Sequence, residues 1–278
     1  MSCALLLIGH LLGDFYLQSN SLARGKIHSF HKLLRHCLIY SAAMGAMVFP
    51  GIPITSAWLI FGILITSHGM IDLIKCGISR KTERNTRHRS FDLELFLADQ
   101  FIHLIVIVLL VLAYPMSTGN TPVLLMIADI LNIGDMNKVL WMITAYLICG
   151  KPSAVFVKML LAAVNFRTQA TPVLLQAAAI EDAREAKKKG LNILEVQKSK
   201  NIGAAIGILE REIILTLSLL GQFSAIGFVI TAKSIARFKQ LEDKDFAEIY
   251  LIGTLVSVLI AIGCAVLFSE PILHKPIL

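Results

Sequence analysis

Seven long apolar stretches, 3–22, 33–49, 55–77, 91–114, 138–166, 202–231 and 246–268, take up most of this chain. Their length suits the hydrocarbon core of a bilayer, where a backbone must satisfy its own hydrogen bonds and only helices and closed barrels do so. The runs are continuous rather than alternating, which predicts an all-α, polytopic helical membrane protein of about six to eight transmembrane or re-entrant helices. Only 16% of the residues are charged, against about a quarter in a soluble domain. The net charge of +7 then serves orientation and contact with anionic membrane lipids; nucleic-acid binding is the weaker reading. Cys3, Cys37, Cys76, Cys149 and Cys264 are scattered without a C-x-x-C, as small helix-packing residues are. The apolar start lacks a basic leader and soon meets His10 and Asp14, so it reads as a retained helix rather than a signal peptide.

Loop 23–35 carries Arg24, Lys26, Lys32 and Arg35, and loop 75–90 carries Lys75, Arg80, Lys81, Arg84, Arg87 and Arg89. The turns at Pro50–Pro53 and Pro115–Pro122 carry no basic residue. The excess of positive charge on inner loops puts 23–35 and 75–90 in the cytoplasm. Four regions follow: a four-helix bundle over 1–115, interfacial and kinked helices over 116–175, a charged soluble segment over 176–201 and C-terminal membrane helices over 202–278. Segment 121–133, with Asp129, reads as an interfacial helix. Gly150-Lys151-Pro152 makes 138–166 either one kinked span or a hairpin. Both 187–200 and 233–244 are basic although a single long helix is expected between them, a conflict with the charge rule that the sequence leaves open.

Three of the apolar helices carry a histidine and an aspartate four residues apart: His10/Asp14, His68/Asp72 and Asp99/His103. That spacing puts both side chains on one helix face. Counted at ~1.5 Å per residue from the cytoplasmic ends, the aspartates lie ~8–12 Å deep and the histidines ~14–18 Å deep in all three helices. The order reverses from His-x-x-x-Asp to Asp-x-x-x-His where the helix direction reverses, as one site shared by antiparallel helices requires. His36 near the start of the second helix, Gln18 on the stripe 10–14–18, and Gln100 beside Asp99 are additional candidates. Lys26 and Lys75, just cytoplasmic of the site helices, either hold an anionic substrate or simply follow the charge rule.

Imidazole and carboxylate together suit Zn, Mn or Fe, and six ligands leave room for one or two ions. Ionisable groups in apolar helices also build proton or ion pathways, and a lone His–Asp pair is more often structural; three depth-matched pairs favour metal over both. Some aspartates then orient a histidine through its second nitrogen instead of binding metal. In the second half, Glu210, Arg211 and Glu212 interrupt an apolar helix and should find ionic partners. Gly203 and Gly207 form a small face open to a neighbouring helix. Lys233, Arg237 and Lys239 make a basic amphipathic segment, either an anion and lipid-headgroup clamp or a snorkelling surface helix.

His10-Leu11-Leu12-Gly13-Asp14-Phe15 with Gln18 and Lys26, His36, Ser67-His68-Gly69-Met70-Ile71-Asp72 with Lys75, and Asp99-Gln100 with His103 resemble the bacterial membrane family known as domain of unknown function 3307. Gly207-Ile208-Leu209-Glu210-Arg211, Ala225-Ile226-Gly227-Phe228, Ala232-Lys233-Ser234-Ile235-Ala236-Arg237-Phe238 and Ala247-Glu248-Ile249-Tyr250-Leu251 look similar as well, so the likeness runs through nearly the whole chain. The resemblance implies a multi-pass protein of a bacterial inner membrane and no assigned reaction. Three readings follow from the residues. One is a metal-dependent hydrolase acting on a lipid or lipid-linked phosphoester, one a proton or metal-ion transporter, and one a scaffold whose cytoplasmic partner reads 176–200. A homo-oligomer is compatible with each.

Overall fold

A computed structural model of the chain describes residues 2–84, 89–114, 126, 129–130, 134–168 and 193–273. Every described element is helical. The first half holds α1 (Ser2–Leu11), a π-helical turn (Leu12–Tyr16), α2 (Asn20–Gly25), α3 (Phe30–Gly51), α4 (Ile54–Arg84) and α5 (Arg89–Ala113). The second half holds α6 (Met136–Cys149), α7 (Lys151–Thr168), α8 (Ile193–Leu219), α9 (Phe223–Ala236), a 3-10 turn (Phe238–Glu242) and α10 (Lys244–Leu273). Five stretches are long and apolar enough to cross a membrane: Phe30–Pro50, Ser56–Thr82, Phe91–Ala113, Met136–Val164 and Lys244–Ser269. Large apolar side chains such as Trp58, Phe101, Leu112 and Leu259 stay exposed along these helices, as lipid-facing surface does. The chain is an all-α polytopic membrane protein.

Two cores form. Leu6 of α1, Tyr40, Met44 and Val48 of α3, Ile60 and Leu64 of α4, and Ile107 and Leu110 of α5 make the first. Ala145 and Cys149 of α6, Ile214 and Leu215 of α8, Ile226 of α9, and Ala261, Ala265 and Phe268 of α10 make the second. Ala4, Leu5 and Ile8 of α1 pack on Leu140 of α6 and join the two. Within the first bundle, Gly9 and Gly13 let α3 come close: a Cβ at Gly13 would lie 2.8 Å from Tyr40 Cδ2 and 3.1 Å from its backbone Cα. This small-xxx-small face brackets His10 and lets α1 and the π turn approach α3 closely.

Three expectations from the sequence change, and one left open is decided. The helix expected over 3–22 stops early. Leu17 N–H reaches back five residues to Leu12 O at 2.8 Å, the chain bends at Leu17–Gln18, and the Ser19 hydroxyl caps a new helix by accepting Leu22 N–H at 3.2 Å. Gln18 therefore leaves the 10–14–18 stripe. The run 138–166 is one kinked span and not a hairpin: Trp141 stacks on Phe268 and Leu161 lies against Gly253, so α6 and α7 pass in one direction along α10. Pro152 cannot donate to Ile148 O, and Ser153 Oγ takes that carbonyl at 2.6 Å instead. Arg211 closes the rest of the kink, giving Nε to Cys149 O at 2.7 Å and Nη2 to Gly150 O at 3.3 Å.

The single helix expected over 202–231 breaks at Gly221, whose φ of +70° suits glycine. A 2.5 Å ion pair between Glu210 and Lys233 shows that α9 folds back along α8. The start of α8 and the end of α9 thus lie at one end of this hairpin, so positions 198–200 leave on the same side as 233–244. Gly203 and Gly207 offer no helix contact: a Cβ at Gly203 meets nothing within 4 Å, and one at Gly207 meets only Arg211 of the same helix. The helix expected over 121–133, apart from exposed helical positions Met126, Asp129 and Ile130, and the Lys187–Lys189 run lie outside the described residues.

Gly13→Ala should lower the thermal midpoint in detergent, at a cost of about 1–3 kcal/mol, because the new methyl group meets α3 backbone. Gly62→Ala, which meets nothing within 4 Å, is the control and should hold or gain stability. Equal midpoints for the two variants would contradict the close α1–α3 crossing.

Candidate functional site

Five segments of the first half aim polar side chains at one point. α1 brings His10, the π turn Asp14, α3 His36 and Tyr40, α4 His68, Asp72 and Lys75, and α5 Asp99, Gln100 and His103. Lys26 enters from the residue that ends α2. His10, His36, His68, Asp72, Asp99 and His103 are all buried. The three sequence pairs thus meet: the His10 and His103 rings stack at 5.1 Å, and His68 Nδ1 lies 2.8 Å from His103 Nε2.

Hydrogen-bond direction fixes the protons. His103 Nδ1 lies 2.8 Å from the backbone carbonyl of Asp99, which can only accept, so this nitrogen carries the proton. With both rings neutral, His103 Nε2 accepts His68 Nδ1–H. Neutral His68 is left with a lone pair at Nε2. That atom lies 3.1 Å from His36 Nε2 and 3.7 Å from Asp72 Oδ2. His36 Nε2 also lies 3.3 Å from Asp14 Oδ1 and 3.1 Å from Asp72 Oδ2. One N–H at His36 cannot serve three acceptors spread around it, whereas a cation in their midst would. Asp14, His36 and His68 form a group whose ligand atoms all fall within 4.8 Å of one another.

The other residues hold this group. Gln100 gives one amide hydrogen to Asp14 Oδ2 at 2.8 Å and the other to Asp99 Oδ2 at 3.0 Å. Its carbonyl accepts His10 Nε2–H at 3.2 Å, and the free His10 Nδ1 faces the Tyr40 hydroxyl at 3.4 Å. Tyr40 also stacks flat on His68, ring centres 3.5 Å apart. Lys26 grips both oxygens of Asp72 at 2.8 and 3.0 Å, and Lys75 holds Asp99 at 2.6 Å. Burial alone would lower the Lys26 pKa, but the Asp72 and Asp14 carboxylates outweigh it and hold it above the ordinary lysine value. The stability the Lys26 ammonium contributes is therefore present throughout the physiological range and is lost as pH rises through that raised value.

The six residues read from the sequence as metal ligands separate into layers. Asp14 and His68 line the central point with Asp72 beside them; His10 and His103 stand one contact outside with both ring nitrogens engaged, and Asp99 is held by Lys75 and Gln100. His36, read only as an additional candidate, is central. Gln100 joins three site residues, whereas Gln18 is buried with its amide nitrogen unpartnered. Lys26 and Lys75 are bound to carboxylates and are not free to hold an anion. Lys233 is likewise taken by Glu210; it and Arg237 stand over the Tyr250 ring, and Lys239 is exposed on the 3-10 turn. The sequence reading missed the lysine–aspartate pairing and the π turn. Basic residues within a helical turn or two of an intramembrane acid are a signal for the first, and the second has no evident sequence mark.

Replacing Lys26 by Met should cost about 3–5 kcal/mol, because it strands the buried Asp72 carboxylate. Lys75→Met should cost less, since Lys75 is partly exposed and Asp99 keeps Gln100. Denaturation of the two variants in the same detergent checks the order; equal losses would contradict it.

Residues 3–131 match the model of a family described as Protein of unknown function (DUF3307), a stretch that contains every residue of this cluster. The blocks from Gly207 onward lie outside the match. No curated protein and no solved structure matches the chain. Over α1 to α5, and so over the whole His/Asp site, the chain resembles that family.

Proposed function

We propose that the first-half bundle binds one divalent transition-metal ion through Asp14 Oδ1, His36 Nε2 and His68 Nε2, with Asp72 Oδ2 as the fourth ligand. The observation that carries this is the gathering of Asp14, His36 and His68, whose ligand atoms all fall within 4.8 Å of one another. Tetrahedral ligands at about 2.0–2.2 Å from a metal are roughly 3.3–3.6 Å from one another. The separations His36–His68, His36–Asp14, His36–Asp72 and His68–Asp72 are 3.1, 3.3, 3.1 and 3.7 Å. Charge supports the same reading. Three carboxylates against two ammonium groups leave one negative charge in an apolar bundle, and among the described residues no lysine or arginine forms an ion pair with Asp14. Any cation at this point, a metal ion or a protonated His36, meets that charge, and two nitrogen with two oxygen donors suit Zn, Mn or Fe.

The relay reading has less support. A proton passing from His68 to His103 stops at the Asp99 backbone carbonyl, which cannot take it on; the Asp99 carboxylate is 3.9 Å from His103 Nδ1. This branch orients a ligand, as the outer partner of a metal-bound histidine does. The hydrolase reading needs the cluster to open, since its histidines and aspartates are covered and its lysines are occupied.

Elemental analysis of protein purified without chelator or histidine tag tests the proposal. Wild type should hold about one ion per chain, His36→Ala and Asp14→Asn should lose it, and His10→Gln should keep most of it. Wild type holding less than about a tenth of an ion, or His36→Ala loading as wild type does, overturns it.

A further inference from the structure

The ligand Asp14 is carried by a π turn, a poorer hydrogen-bonding geometry than the α-helix that persists as a single turn, often at functional sites. The contacts that hold the end of this turn at Tyr16 include several from the other half of the molecule. Tyr16, at its end, donates its hydroxyl to Leu147 O at 2.9 Å and accepts Lys151 N–H at 3.1 Å. The Lys151 ammonium in turn donates to Phe15 O at 3.3 Å and Tyr16 O at 3.2 Å, the carbonyls where the turn ends, and lies 5.7 Å over the Tyr16 ring. A cation is favoured at such a helix end. All of this occurs at the α6–α7 kink. A Cβ at Gly150 would overlap the Tyr16 hydroxyl, so the glycine leaves the room the tyrosine uses.

We infer that Tyr16 and Lys151 are positioning residues for the metal site: they clamp the π turn so that Asp14 faces His36 and His68, and the α6–α7 kink thereby sets the affinity of the site. This rests on the metal reading. Regularising the five residues Leu12–Tyr16 to an α-helix would turn Tyr16 by roughly a quarter turn and Asp14 by about half as much. The Tyr16 hydroxyl would then leave the kink and the Asp14 oxygen would leave His36. The clamp and the ligand geometry therefore exist together. By linkage, whatever moves α7 changes metal affinity, and metal binding changes the freedom of the kink.

Two measurements test this and separate it from the metal reading. The first is Co²⁺ affinity of wild type, Tyr16→Phe, Asp14→Asn and the double variant. Tyr16→Phe removes only the hydroxyl and should weaken binding about tenfold. The double variant should bind no more weakly than Asp14→Asn alone, because the clamp acts only through that ligand. The second is amide exchange over 12–17 in metal-free protein, where Tyr16→Phe should speed exchange at Leu17. If wild type and Tyr16→Phe bind Co²⁺ equally while Asp14→Asn does not, the clamp is wrong and the metal site stands. If wild type binds no metal, the metal reading fails, and the clamp's control of the site's affinity falls with it; faster exchange at Leu17 would then show only that Tyr16 holds the π turn. Unchanged exchange at Leu17 overturns the clamp whatever the metal result.

Discussion

Buried charge in lipid must be compensated, and the first half of this protein is organised around that requirement. Asp14, Asp72 and Asp99 converge where α1, α3, α4 and α5 pack, and an ionised carboxylate there is costly unless paired. Lys26 and Lys75 reach in from the basic end and neutralise two of the three. Gln100 divides its amide hydrogens between Asp14 and Asp99, which links the π turn to α5. What remains is one negative charge among imidazoles whose lone pairs are already directed. The metal proposal is a statement about that remainder.

The convergence of three His/Asp pairs was readable because helical spacing and alternating helix direction are both written in residue order. A four-residue step and the reversal at Asp99/His103 were enough to bring His10, His68 and His103 together without coordinates. Which nitrogens face inward was not readable. That depends on one backbone carbonyl, Asp99 O, acting on His103, a contact with no residue-type signature. His36 has no aspartate four residues away, so a search for His/Asp pairs ranks it low although it is central. The helix breaks at Leu12–Tyr16 and Gly221 were missed for a related reason: apolar composition continues through both, while the turn at Gly221 needs only one positive φ. The kink at Gly150 was legible from Pro152, but not whether the chain turned back there. That is decided by packing along α10.

The second half supplies support of its own kind. Arg211 is buried and spends its guanidinium on carbonyls freed by the kink, and Lys233 is spent on Glu210. These charges stabilise a bent span and a helical hairpin, so their presence in apolar helices does not by itself mark a second site. Tyr16 and Lys151 are where this scaffold touches the first half's polar centre.

The central claim is that two histidines and one or two aspartates meet at a single metal ion. X-ray absorption at the metal edge of loaded protein reads that directly. The account predicts two imidazoles and one or two carboxylate oxygens at about 2.0–2.2 Å, with no sulfur. A shell of three or more imidazoles would place His10 or His103 at the metal, and a shell of oxygen alone would place the ion elsewhere; either result contradicts it.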